Sequence, residues 1–184
     1  MLSPLPPAIV SCADGDKKNL ITVAWTGILS TVPPRTYISV RPTRHSHDII
    51  EKSGEFVINL CTEELCRAAD YCGMYTGAKV DKFEKCGLTP IPSTEVACPS
   101  LGESPLSLEC RVFEVKRLGS HDMYLADIVA VTVDDALLDG QGKLRLDRAH
   151  LCAYSHGEYF GLGRRLGKFG FSAVKKKKPP KKRQ

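Results

Sequence analysis

Apolar and polar positions along the chain fall into short runs, most with the two-residue alternation or the continuous apolar stretch of β-strands. Residues 20–26 are rich in β-formers and alternate only loosely, the pattern of a strand covered on both faces. A loop over residues 27–35 carries Pro33-Pro34. Residues 36–40 then alternate cleanly, Tyr37 and Ser39 on one side, Ile38 and Val40 on the other. These two runs are expected to be antiparallel neighbours. Residues 56–60 predict a buried strand, residues 107–118 and 123–133 a long hairpin turning at Gly119-Ser120-His121-Asp122, and residues 151–154 a short last strand. Helical spacing occurs twice. One segment starts at Thr43 or Ser46 as N-cap, turns Ile49 and Ile50 inward and ends at Gly54; the other covers residues 63–71, with Leu65, Ala68 and Ala69 inside. Residues 1–19 begin with several prolines and read as an N-terminal arm, and residues 86–105, with Pro90, Pro92, Pro99 and Pro105, as irregular connection. Antiparallel strands decorated by short helices predict a mainly β protein, a small barrel.

Charge changes this picture at one end only. The 184 residues carry a net charge of +5, but seven of the 26 Lys and Arg lie within residues 175–184, leaving 19 against 21 acidic residues in the domain expected over residues 1–174. That basic run, interrupted by Pro179-Pro180 and bare of aromatics, reads as a disordered tail. The N-terminus lacks the cationic start and long apolar run of a signal peptide, and no window is long enough to span a bilayer, so a cytoplasmic protein with no membrane partner is expected.

Eight cysteines invite a metal or disulfide reading, yet they include no Cys-x-x-Cys pair and no His at zinc-finger distance. No metal is expected. Cys61, Cys110 and Cys152 sit in apolar runs where a reduced thiol packs, and Cys72, ahead of a Gly-rich loop read as exposed, is the one to watch.

The densest chemistry follows the alternating strand: Arg41-Pro42-Thr43-Arg44-His45-Ser46-His47-Asp48. Two guanidiniums, several hydroxyls and an opening helix within eight residues make an anion cradle, because Arg forks grip phosphate oxygens and free helix N–H groups point at them. The stretch from Cys72 to Phe83 offers two glycines, hydroxyls and lysines, a candidate ligand loop or an ordinary surface loop. The closing run from Tyr154 to Gly163 is aromatic and glycine-rich, which suits contact with a flat ligand or a partner subunit. Gly161-Leu162-Gly163-Arg164-Arg165-Leu166-Gly167 has one residue too many before its last Gly to be a dinucleotide fingerprint, and lacks the strand–helix setting. Singly, each feature has a plainer reading: Trp25 as core, Arg41 and Arg44 in surface ion pairs, and His45, His47 and His156 as solvated or capping residues.

Taken together, residues 19–27 (NLITVAWTG), 37–44 (YISVRPTR), 54–59 (GEFVIN), 77–83 (GAKVDKF) and 154–160 (YSHGEYF) resemble the flavoredoxin branch of the flavin-reductase-like proteins, over residues 15–172. The resemblance implies an FMN-binding split β-barrel, antiparallel and of Greek-key type with short peripheral helices, assembled as a homodimer with FMN held noncovalently near the subunit interface. It implies Ala24, Trp25 and Thr26 beside the flavin, Ser39, Val40 and Arg41 continuing that wall, and Thr43, Arg44, His45 and Ser46 near the ribityl phosphate. Thr76, Gly77, Lys79, Asp81 and Lys82 would close from another side, with Tyr154 and His156 flanking the ring. Lys79 stands where relatives often show arginine, and offers a point charge in place of a fork. FMN would do the redox work, with NAD(P)H or a redox protein as partner and no catalytic side chain. A non-catalytic FMN-binding module remains open as an alternative. So does a nucleic-acid-associated protein acting through the tail, although nucleic acid is not the expected partner.

Overall fold

A computed structural model describes residues 2–173; the basic run predicted to be a disordered tail lies outside the described residues. In chain order the elements are β1 (Ala8–Asp14), β2 (Lys17–Val23), β3 (Thr26–Thr31), β4 (Pro34–Val40), α1 (His45–Ser53), β5 (Glu55–Leu60), α2 (Cys66–Met74), α3 (Lys82–Cys86), β6 (Pro90–Ile91), β7 (Ser100–Leu101), β8 (Leu106–Arg117), β9 (Asp122–Val133), β10 (Cys152–Ser155) and β11 (Glu158–Gly161). Seven strands form one antiparallel sheet in the order β2-β1-β5-β8-β9-β4-β3, and the pairs β6-β7 and β10-β11 stand apart. The protein is mainly β, as predicted.

The sheet closes because its two edge strands are consecutive in sequence. Only Ala24 and Trp25 separate β2 at one edge from β3 at the other. Side chains from β1, β2, β4, β5, β8 and β9 meet in one core around Val10, Ile38, Ile50, Phe56 and Tyr124, so the sheet is curled about its own apolar face. It stays split where β2 and β3 part, and beside the split the β3-β4 ladder runs on by one position, the Ser39 amide donating to the Trp25 carbonyl at 3.0 Å. Residues 20–26 are therefore not one strand. Leu20 and Ile21 pair with Ser11 and Val10, whereas Thr26 pairs with Ile38, and the expected pairing of residues 20–26 with residues 36–40 gives way to a β3-β4 hairpin that absorbs the predicted loop.

The N-terminal arm is the largest correction. Residues 8–13 of β1 are all buried, with Ala8, Val10 and Cys12 facing the barrel core and Ile9 facing a second core beneath α2 and α3. The prolines stop at Pro7. Gly15-Asp16 then makes a two-residue hairpin loop with Gly15 at φ 58°, a positive φ that glycine adopts without steric cost. The first predicted helix ends as expected, Gly54 capping it at φ 68°, but Arg44 is the N-cap residue and supplies no side-chain hydrogen bond. The second predicted helix begins three residues late, at Cys66, and a short third helix occupies part of the predicted ligand loop. No helix among the described residues is long and apolar enough to cross a membrane.

Candidate functional site

The split seam and the start of α1 meet, and three adjoining clefts open there. One, of about 150 Å³, lies between the 41–46 segment, Asn19 of β2 and the loop after α2. A second, of about 170 Å³, runs along the seam between the end of β2 and Ser39, Val40 and Arg41. The third opens towards the β10-β11 hairpin. Arg44 borders all three, and Arg41 borders the first two.

Neither guanidinium has a carboxylate partner among the described residues, although Arg35, Arg111, Arg117 and Arg145 all do. Both arginines are exposed at the cleft, beside a helix N-terminus without a side-chain cap. Ion pairing on the surface is thus not what occupies them. Lys82 adds a third positive charge from below: its buried ammonium donates to the carbonyls of Leu20 at 2.7 Å and Cys72 at 2.8 Å. An ammonium has three protons, so one donor remains.

The local potential is felt by neighbouring groups. Burial pulls the Lys82 ammonium below the usual lysine value, and the adjacent Arg44 charge pushes the same way. Burial likewise lowers His121 from the ordinary imidazole range, with Arg41 contributing. An anion in the cleft would offset this mutual repulsion. Cys72 is buried under the cleft, and burial pushes its thiol up to about 12, so it stays protonated.

The structure brings together most of the predicted site residues. Arg41, Thr43, Arg44, His45, Ser46, Thr76, Gly77 and Lys82 line the first cleft, and Ala24, Trp25, Ser39 and Val40 the second. Tyr154 borders the third, in edge-on contact with Tyr159 at 5.1 Å between centroids. Ser46 is not free: its buried hydroxyl accepts a 2.8 Å hydrogen bond from the Asn19 amide. Gly77 packs so closely on that amide that a Cβ would overlap it. Four predicted residues stand elsewhere. Thr26 donates to the Tyr37 carbonyl at 2.6 Å within the β3-β4 hairpin. Lys79 is exposed on its loop, Asp81 caps α3 by accepting from the Glu84 amide, and His156 is an exposed turn residue at φ 50°.

Trp25 is not core. It is 53% exposed on the seam and packs on His121, ring centroids 4.6 Å apart. His121 comes from the β8-β9 turn and Asn19 from β2; neither was singled out by sequence, because only folding carries them to the 41–46 segment.

Comparison with known proteins now decides the family. The model of the flavin reductase-like domain matches residues 1–163. The chain belongs to that family. An uncharacterised protein of Archaeoglobus fulgidus is 36% identical over 126 residues, covering 68% of this chain and 71% of the other. An FMN reductase (NADH) of Rhizobium rhizogenes, RutF 2, is 30% identical over 91 residues, 50% of this chain and 51% of the other. Among solved structures, the flavoredoxin of Desulfovibrio vulgaris (Miyazaki F) superposes with a TM-score of 0.87 at 28% identity, covering 95% of each chain. The split-barrel fold and the flavoredoxin resemblance read from the sequence are both shown.

Proposed function

We propose that this protein is an FMN-binding oxidoreductase, acting either as an NAD(P)H-dependent flavin reductase or as a flavoredoxin-like electron-transfer protein. The observation that carries the reading is the pair Arg41 and Arg44, unpaired within the described residues at an uncapped helix start and bordering a groove lined by Trp25 and His121. The donor set fits a phosphorylated flavin. Two guanidiniums, the Lys82 ammonium and the first N–H groups of α1 suit a dianionic phosphate, and the Thr43 and Thr76 hydroxyls suit a polyol chain. Ala24, Trp25 and His121 offer the flatter, less polar surface a ring system needs.

When bound, FMN would supply the redox chemistry. The chain's own residues hold and orient it. Arg41 and Arg44 fix the anionic end and keep positive potential along the seam, while Ser39 and Val40 bound the far wall. The family and the names of its relatives support this reading. A homodimer is part of the proposal: the edge strand β3 leaves Ile28 and Leu29 exposed, Val32 follows in its turn, and Leu162, Leu166, Phe169 and Phe171 lie exposed after β11, apolar side chains that a second copy would cover.

The test is to release and identify the cofactor of the purified protein, then titrate the flavin-free protein with FMN, FAD and riboflavin. Retained FMN and a preference for FMN over riboflavin of at least about tenfold, the scale of one charge-assisted contact, support the reading. Equal affinity for FMN and riboflavin contradicts it. NADH or NADPH oxidation by the loaded protein separates the reductase from the electron-transfer form.

A further inference from the structure

Away from the cleft, folding assembles a group of side chains that sequence spacing kept apart. Cys61 follows the last residue of β5, Cys66 opens α2 and Cys152 opens β10, and their three sulfur atoms lie within 4.8 Å of one another. The backbone builds this approach. The Cys152 amide donates to the Cys61 carbonyl at 3.1 Å, and Thr62 bridges Leu151 in antiparallel fashion. The Thr62 hydroxyl then accepts from the Leu65 amide at 3.2 Å, a turn that brings Cys66 back over Cys61.

We infer that Cys61, Cys66 and Cys152 form a binding site for one thiophilic divalent metal ion of the zinc class. Thiolate sulfurs on tetrahedral Zn²⁺ stand about 2.3 Å from the metal and hence about 3.8 Å from each other, so only a small contraction is required. Cys61 and Cys152 are 2% and 6% exposed, and Cys66 is more open. That geometry supplies three ligands and leaves the fourth position to water or an exchangeable ligand on the Cys66 side. Spacing also fits in part, since Cys61 and Cys66 are a Cys-x4-Cys pair.

Charge selects the ion. Three thiolates with a divalent cation leave one net negative charge in a largely buried place; with a monovalent cation they would leave two. The ion would tie the end of β5, the start of α2 and the β10-β11 hairpin together. At present the sulfurs donate weakly to carbonyls, Cys61 to Thr62 at 3.5 Å and Cys152 to Cys61 at 3.4 Å, bonds that metal coordination would replace. The site stands independently of the flavin reading.

The experiment adds one equivalent of Zn²⁺ to the full, reduced protein as purified, removes free metal by desalting and measures zinc per chain. About one zinc per chain is expected, with retention lost in Cys66→Ser, a partly exposed position, and kept in Cys86→Ser, outside the cluster. Zinc should also slow alkylation of Cys66 at least about tenfold without changing that of Cys86. Failure of the wild-type protein to retain zinc, retention unchanged in Cys66→Ser, or an unaltered alkylation rate would each overturn the inference.

Discussion

Charged groups gather at the start of helix α1 and again farther along it, and the two surroundings are opposites. Just ahead of its start, Arg41 and Arg44 face an open cleft with no carboxylate partner among the described residues. Farther along, His47 and Glu51 belong to a closed network with β8 and β9. The His47 imidazole donates from Nε2 to Asp122 at 2.7 Å, Arg117 bridges Asp122 and Glu51, and the Tyr124 hydroxyl donates to Glu51 at 3.0 Å. Burial by itself would raise the Asp122 carboxyl, but the His47 and Arg117 hydrogen bonds outweigh it and hold the group below the usual aspartate value. Glu51 is lowered chiefly by Arg117. The same helix thus has one end locked by saturated charge pairs and one end whose cations still lack a counter-ion. A charge network that is closed fixes position; one left open at a cleft is available to a ligand.

Breaking the closed network should cost stability before it costs affinity. Asp122→Ala takes the carboxylate from the buried His47 imidazole, leaves Arg117 only Glu51, and is expected to destabilise the fold by about 3 kcal/mol, the usual scale for removing one partner of a buried charge pair. Denaturant unfolding checks this. The pH dependence has a definite sign. Because Asp122 and Glu51 are depressed in the folded state, their stabilisation is fully present above ordinary carboxylate values near about 4. It is lost as pH falls through the lower folded values. Acid titration of the melting temperature should therefore be flatter below about pH 4 in Asp122→Asn than in the wild type.

At the open end the effects should be smaller and should appear in ligand affinity. Gly77→Val drives a side chain into the buried Asn19 amide that holds Ser46 and is expected to weaken FMN several-fold and to lower the unfolding free energy by about 1 kcal/mol. Trp25→Leu should reduce FMN and riboflavin binding alike, by about 1 kcal/mol each in flavin titrations, because it alters a surface both share. Lys79→Ala, on the exposed loop outside the clefts, should change neither ligand by more than about 0.5 kcal/mol.

Much of this division was legible in the sequence. Strict alternation marked β4, the apolar run marked β5, the long paired runs marked β8 and β9, and Gly54 marked the end of α1, because each signal is local. The 41–46 cluster was equally local. What escaped depended on distant chain. β1 was hidden by the prolines before it, although Gly15-Asp16 carried a hairpin signal. The break at Ala24-Trp25 was invisible because β-formers continue across it, and only closure of the barrel turns the chain there from one sheet edge to the other. Asn19, His121 and the Cys61-Cys66-Cys152 cluster arise from tertiary approach, which periodicity does not encode.

The central claim is that the unpaired arginines grip a phosphate, and the difference between two flavins reads it most directly. FMN and riboflavin should be titrated into flavin-free wild-type protein, Arg41→Ala and Arg44→Ala. Each variant is expected to lose about tenfold or more in FMN affinity while riboflavin stays within about twofold. Equal losses for the two ligands, or none for either, would contradict the claim.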